Sequence, residues 1–323
     1  MQHRTCFLAL LVLTSLLSAA PGWGAAQTAS VLAPVDSLED PQLDESSGLV
    51  RSLRLPGVFW THNDSGDEAR LFAVDSSGAT LKPAWAEDYR GLRLLEAANH
   101  DWEDLAQDGE GNLIVADLGN NGSARRDLAV YVLPEPDPRA VEAVRAVTRI
   151  LVAYPDQCEF PPKERNFDCE AVFFARGALH VLTKHRSDTH TRLYRLDAPA
   201  GQPPRTDRPW HEAFRPDRVH ALTFLGEADV AGLSSEVAGL VTAADADLDG
   251  RRLVILSYTG LFLVENDPGG PALRTGNLLA GRWRWLPIAA EQCEAVALDG
   301  GRVWITNEQR GLFRVELDQL QAR

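Results

Sequence analysis

The 323-residue chain carries 46 acidic against 32 basic residues, a formal net charge of −14, and 45% hydrophobic residues. An acid excess of this size repels a phosphate backbone at long range, which argues against nucleic acid as the partner while allowing a local basic patch to hold a small anion. The length suits one large repeat domain or two ordinary ones.

At the N-terminus, His3 and Arg4 precede an apolar core over residues 7–17, and Gly24, Ala25 and Ala26 form a small-residue stretch suited to cleavage before Gln27. The core falls short of the roughly 20 apolar residues that a bilayer span needs, and no later stretch approaches that length. The expectation is a signal peptide over 1–26, a single domain over 27–323, a periplasmic or secreted location and no stable membrane span. A retained N-terminal anchor is the alternative.

Beyond this segment the chain repeats one phrase, in which an acidic residue opens an apolar run, a turn follows, and a second run ends in polar residues. Five versions occupy 44–66, 101–121, 168–186, 241–260 and 292–310. The clearest read DWEDLAQDGEGNLIVADLGNN, DCEAVFFARGALHVLTKHR and QCEAVALDGGRVWITNEQR, and the fourth version is degenerate. The second runs are short and rich in Val, Ile, Leu and Trp, which suits strands rather than buried helices. Third strands are expected at 70–74, 128–133, 192–196, 260–264 and 311–317, with fainter fourth strands at 92–95, 147–153, 219–225 and 283–288. Residues 138–147 and 227–236 read as loop insertions with room for one turn each.

Four strands per repeat predict an all-β fold, a β-propeller. No gap between repeats is wide enough to hide a further unit, so five blades are favoured; six, drawing on residues 220–235, is the alternative. The last repeat has no room for its fourth strand, so an N-terminal strand near 31–38 is expected to complete it and close the ring. Trp60, Trp102 and Trp304 fall in or beside strands and are expected in the core.

In a four-stranded antiparallel blade the first strand lies nearest the axis, and its start emerges on the same face as the end of the second. One mouth of the channel is therefore expected to gather Glu45, Glu103, Glu170, Asp245 and Glu294. Crowded carboxylates repel unless a cation or basic groups compensate. A hard ion such as Ca²⁺, which takes six to eight oxygen ligands, fits such a ring, and these five acids are its candidate ligands. The competing explanation is that the acids cap strand amides and join blades.

The same face collects His62, Asp117, Lys184, His185, Arg186 and Glu308. Asp117, Glu308 and the Glu103/Glu170 pair are candidate general acids and bases, while His62, Lys184, His185 and Arg186 are candidate holders of an anionic group. Phosphoester hydrolysis assisted by the ion would use that mixture. No nucleophile motif stands out. Binding of a small polar or anionic ligand is favoured over catalysis, protein recognition through residues 134–144 and 199–218 is a third reading, and a monomer is expected.

Cys158, Cys169 and Cys293 remain after signal removal. A Cys158–Cys169 bridge is the favoured pairing and Cys169–Cys293 its rival.

The pairs DWEDLA with VADLGNN, FDCEAV with LTKHR, and CEAVAL with WITNE resemble exported bacterial β-propeller proteins of the phytase-like and esterase-like group. They are more distantly similar to calcium-activated apyrases. The second resemblance implies five blades and an axial Ca²⁺, with Glu103, Glu170 and Glu294 placed like its ligands.

Overall fold

A computed structural model describes residues 29–199, 208–231 and 240–322. The expected signal peptide at 1–26 lies outside them, as do parts of the segments 199–218 and 227–236.

The strands assemble into five small sheets arranged as a ring, a five-bladed β-propeller. From the axis outward, the first blade is Ser46–Arg51, Val58–Asn63, Arg70–Asp75 and Leu92–Leu95, and the second is Asp104–Gln107, Asn112–Asp117, Ala129–Pro134 and Thr148–Ala153. The third is Asp168–Ala175, Ala178–Lys184, His190–Arg195 and Thr223–Asp229. The fourth is Val241–Ala246, Arg252–Ser257, Gly260–Glu265 and Arg282–Ala289. Cys293–Asp299, Arg302–Asn307 and Gly311–Glu316 form the fifth, which Asp36–Ser37 completes.

Burial explains why the inner strands read as continuous apolar runs and the outer ones as faint alternations. Asp168–Ala175 is buried throughout, whereas Thr148–Ala153 alternates. An inner strand is covered on both faces by its neighbours, and a peripheral strand on one. The apolar mass lies between blades; Ile114, Val130 and Ile150 of the second pack with Val172, Phe174 and Val181 of the third. Trp60, Trp102 and Trp304 are buried. The Trp60 and Trp102 indoles donate to Glu135 Oε1 at 2.8 Å and to the Ala98 carbonyl at 2.9 Å.

The expected N-terminal strand is divided. Asp36–Ser37 pairs antiparallel with Gly311–Glu316, and the Leu38 amide donates to the Arg310 carbonyl at 2.8 Å. Ser30–Val31 instead runs parallel to Arg282–Ala289 in the fourth blade, whose outer strand also pairs with Gln321–Ala322. The same handover occurs twice more. Ala143–Arg145 runs parallel to Leu92–Leu95 before the chain adds the outermost strand of the second blade, and Val219–Ala221 runs parallel to Thr148–Ala153 before it adds the outermost strand of the third. Each added strand covers an edge that would otherwise expose unpaired amides.

These pairings correct three expectations. Residues 138–147 hold the expected turn, closed by the Ala140 amide on the Asp137 carbonyl at 3.0 Å, but also the strand Ala143–Arg145, and Glu227 lies within the strand Thr223–Asp229. The single strand expected at 219–225 is shared between two blades, so the described residues 220–231 build no sixth one.

The expected disulfides are also corrected. Cys158, Cys169 and Cys293 are free thiols, the first exposed and the others buried. Cys169 packs between the second and third blades and Cys293 between the fourth and fifth, because the same repeat position faces a different interblade core in each case. Burial pushes the Cys293 thiol up to about 12.

Candidate functional site

The inner strands share an irregularity at the mouth. Their pairing with the second strand slips by one residue between Ser46 and Gly48, Cys169 and Ala171, Val241 and Ala243, and Cys293 and Ala295. In the second blade the Glu103 amide donates to the Ala116 carbonyl at 3.1 Å, while Asp104 is the residue paired with Ala116. The extra residues are Ser47, Glu103, Glu170, Thr242 and Glu294. A bulge of this kind re-aims one side chain without ending the strand, and here it does so at the same position of every blade.

Two of the five expected ligands do not occupy the bulge position. Glu45 lies two residues before the first bulge and is exposed. Asp245 lies three residues past Thr242, where its carboxylate accepts hydrogen bonds from the Leu298 amide at 2.8 Å and the Ala246 amide at 2.7 Å. It ties the fourth blade to the fifth and lines a cavity of about 760 Å³ at the opposite end of the inner strands. The residues that share the bulge position with the acids are hydroxylic. Ser47 donates to the Glu103 carbonyl at 3.0 Å and Thr242 to the Cys293 carbonyl at 2.8 Å, so both join neighbouring blades.

The three bulge glutamates have different surroundings. Glu294 is hydrogen-bonded to Tyr258, and burial raises its carboxyl to about 7 against the opposing pull of Lys184. Glu170 receives Lys184 Nζ at 2.8 Å, with Arg186 Nη2 at 3.8 Å. Burial nevertheless pushes its carboxyl well up. Glu103 is 5% exposed, and among the described residues no hydrogen bond or ion pair reaches its carboxylate. Burial drives its carboxyl well above the ordinary value, reinforced by Glu170 and Asp64.

Glu103 stands where two acidic groups meet. Its oxygens lie within 4.8 Å of those of Asp64 and Asp101 on one side, and of Asp168 and Glu170 on the other. Asp101 is positioned by its amide, which donates to Asp117 Oδ1 at 3.1 Å, and by its carbonyl, which accepts from the Gly119 amide at 3.0 Å. Burial lifts its carboxyl to about 6. Gly119 is required at this point, because a Cβ there would collide with the carboxylates of both Glu103 and Asp101. Asp168 accepts from the Asn120 amide and from Arg186 Nη2, each at 2.7 Å.

The two groups differ in compensation. Lys184 and Arg186 bind the Asp168–Glu170 side, whereas no salt bridge reaches Asp64, Asp101 or Glu103 among the described residues. Lys184 Nζ also lies 3.4 Å from the Tyr258 hydroxyl and 5.2 Å from the centre of its ring. Burial alone would depress the ammonium, but Glu170, Tyr258 and Glu294 together outweigh it and raise the pKa.

The other candidates are placed as follows. Asp117 is wholly buried and faces the Asp101 amide, His100 Nδ1 at 3.1 Å and Arg125 Nη2 at 3.0 Å, which makes it a positioning group beneath Asp101. Glu308 is half-buried, with its carboxyl raised by burial and by Glu45 and Asp64. His62 does not face the mouth. It is buried edge-on to Trp102 at 5.6 Å, close against Gly48, and Nδ1 lies 2.8 Å from the Asn63 carbonyl. His185 is likewise buried, 2.8 Å from Asp188.

Asp101 and Asp168, which join Glu103 in the two acidic groups, each stand two residues before a bulge glutamate, in Asp101-Trp102-Glu103 and Asp168-Cys169-Glu170. That Asp-x-Glu spacing was the available signal, and the fifth repeat departs from it with Gln292.

No family model and no curated protein matches the chain. Among solved structures it is similar to Kuenenia stuttgartiensis hydrazine synthase, with TM-score 0.42, 10% identity, and 84% of this chain and 71% of that one covered. It is also similar to the Swd1 β-propeller domain of Myceliophteria thermophila, with TM-score 0.39, 10% identity, and 84% and 96% coverage. A third similarity is to the Malassezia sympodialis allergen Mala s 1, with TM-score 0.41, 10% identity, and 88% and 82% coverage.

Proposed function

We propose that this propeller is an exported binding protein whose axial mouth holds a hard divalent cation, Ca²⁺ being the best fit, with Glu103, Asp101 and Asp64 as ligands. One observation carries the reading. Glu103 is buried, its carboxylate has no protein partner among the described residues, and Gly119 keeps the space beside it clear of a side chain. A carboxylate this largely buried with no basic partner is costly to ionise unless it meets a cation, and two further acids stand beside this one. All three offer hard oxygen ligands, the donor type that Ca²⁺ prefers over nitrogen or sulfur.

Three carboxylates do not fill a shell of six to eight oxygens, so positions remain for water or for hydroxyl or carboxylate oxygens of a small polar ligand. Phosphoester hydrolysis is less well supported, because Lys184 and Arg186, its anion holders, are already engaged by Glu170 and Asp168. The similarity of DWEDLA and VADLGNN to exported propellers supports the location and adds nothing about chemistry.

Calorimetric titration of the chelator-stripped protein with CaCl₂ tests the reading. Saturable binding by the wild type and its loss in folded Glu103→Gln are expected. Equal binding by the two, or none by the wild type, would overturn it.

A further inference from the structure

We infer that Glu103 stands between two cation seats and that the ammonium of Lys184 occupies the second in place of a metal ion. The inference rests on the cation reading above for the first seat. It concerns the group Glu103, Asp168 and Glu170, in which all three residues are at least 95% buried.

Three carboxylates this close do not all ionise without compensating charge. On this side the chain supplies that charge itself, and its two cations approach differently. Arg186 reaches Asp168 from the rim, with its side chain 35% exposed. Lys184 comes from within the wall, with its side chain 7% exposed, and places Nζ 2.8 Å from Glu170 Oε2. A guanidinium is a planar fork, whereas an ammonium is a compact point charge on a flexible stem and can take the place of an ion. The end of the second strand in the third blade thus carries a lysine beside the bulge glutamate of its own blade, Glu170.

Glu103 supplies the independent pointer to a ligand, since its buried carboxylate belongs to both acidic groups and pairs with neither basic residue. Carboxylates serving two ions about 3.5–4 Å apart are the usual arrangement of a two-metal site. Here Lys184 would hold the occupancy at one. Removing its ammonium leaves buried Glu170 with only the longer contact to Arg186 at 3.8 Å, an under-compensated state that a second divalent ion would relieve.

The experiment measures Ca²⁺ stoichiometry by calorimetry and equilibrium dialysis on the chelator-stripped wild type, Lys184→Gln, and the double variant Lys184→Gln/Glu170→Gln. One ion in the wild type, two in Lys184→Gln and one in the double variant are expected. One ion in both the wild type and Lys184→Gln overturns this inference and leaves the Glu103–Asp101–Asp64 site standing. No ion in the wild type with one in Lys184→Gln removes that first site while keeping Lys184 as occupant of the second. No ion in either overturns both. If Lys184→Gln fails to fold in chelator, its refolding is followed against added CaCl₂. Restoration by Ca²⁺ is expected, and a variant that Ca²⁺ cannot restore counts against the seat.

Discussion

The Glu103 carboxylate fills the space that any side chain at Gly119 would need. Residue 119 also fixes Asp101, whose carbonyl accepts from the Gly119 amide at 3.0 Å. One glycine in the loop after the second strand of the second blade therefore permits the approach of two acids to the axis. Its φ is not among the positive ones, so a substitution there acts through space rather than through backbone strain.

Gly119→Ala should displace Glu103 or Asp101 and cost about 1–3 kcal/mol of stability, as overpacking of a tight site does. Calcium affinity should fall at least about tenfold, roughly 1.4 kcal/mol. Thermal unfolding and calorimetry of the variant check both, and unchanged affinity would show that the glycine is not needed for the ion.

Glu103→Gln and Asp245→Ala should behave oppositely. The first removes a buried carboxylate that has no partner, so the metal-free protein should be as stable as the wild type or more so, with calcium binding lost. The second removes the acceptor of the Leu298 amide and should cost about 1–3 kcal/mol, with calcium binding kept. Unfolding curves in chelator and in CaCl₂ separate the two. A loss of calcium binding in Asp245→Ala would mean that the channel acts as one electrostatic unit.

Calcium binding should strengthen with pH. Asp101 holds its proton up to about 6 and Glu103 well above the ordinary carboxylate range, so protons compete with the ion on the acid side. Affinity measured at pH 5 should be at least about tenfold weaker than at pH 7.5. A flat profile would place the ion elsewhere.

Glu294 gives a stability test with the opposite sign. Its carboxyl is raised to about 7, so its contribution to folding is present below the unfolded value of about 4.3 and is lost as pH rises through about 7. Replacing it with Gln removes that loss. The melting temperature of Glu294→Gln relative to wild type, measured in chelator, should be higher at pH 8 than at pH 5. The difference between the two proteins cancels the contribution of His62 and His185, whose lowered values act in the other direction.

The ring closure should carry much of the stability. Leu38 is 1% exposed and packs with Phe59, Phe72 and Leu312 across the junction of the first and fifth blades. Leu38→Ala should cost about 2–5 kcal/mol in denaturant unfolding. A loss below 1 kcal/mol would mean that the N-terminal segment decorates the ring without closing it.

Much of the fold could be read from the chain. The five apolar runs ending in polar residues mark second strands because period and length suit nothing else, and the missing fourth strand of the last repeat pointed to the N-terminal segment that supplies it. Strand sharing was not readable. Residues 219–225 look like one strand, but their two halves pair with different blades, since local propensity does not encode which edge a strand will cover.

The sequence by itself determined the all-β repeat and the presence of acids near the inner strand starts, and favoured five blades over six, because hydrophobic period and spacing are properties of the chain. Only the tertiary structure decided which acids meet. The shared bulge marks Thr242, not Asp245, as the equivalent of Glu103, and Asp245 lies three residues further along the strand toward the other end of the channel. Tertiary structure also decided that Lys184 pairs with Glu170 while Glu103 stays unpaired among the described residues. Charge compensation depends on distances of a few ångströms between blades far apart in sequence, and no spacing along the chain records them.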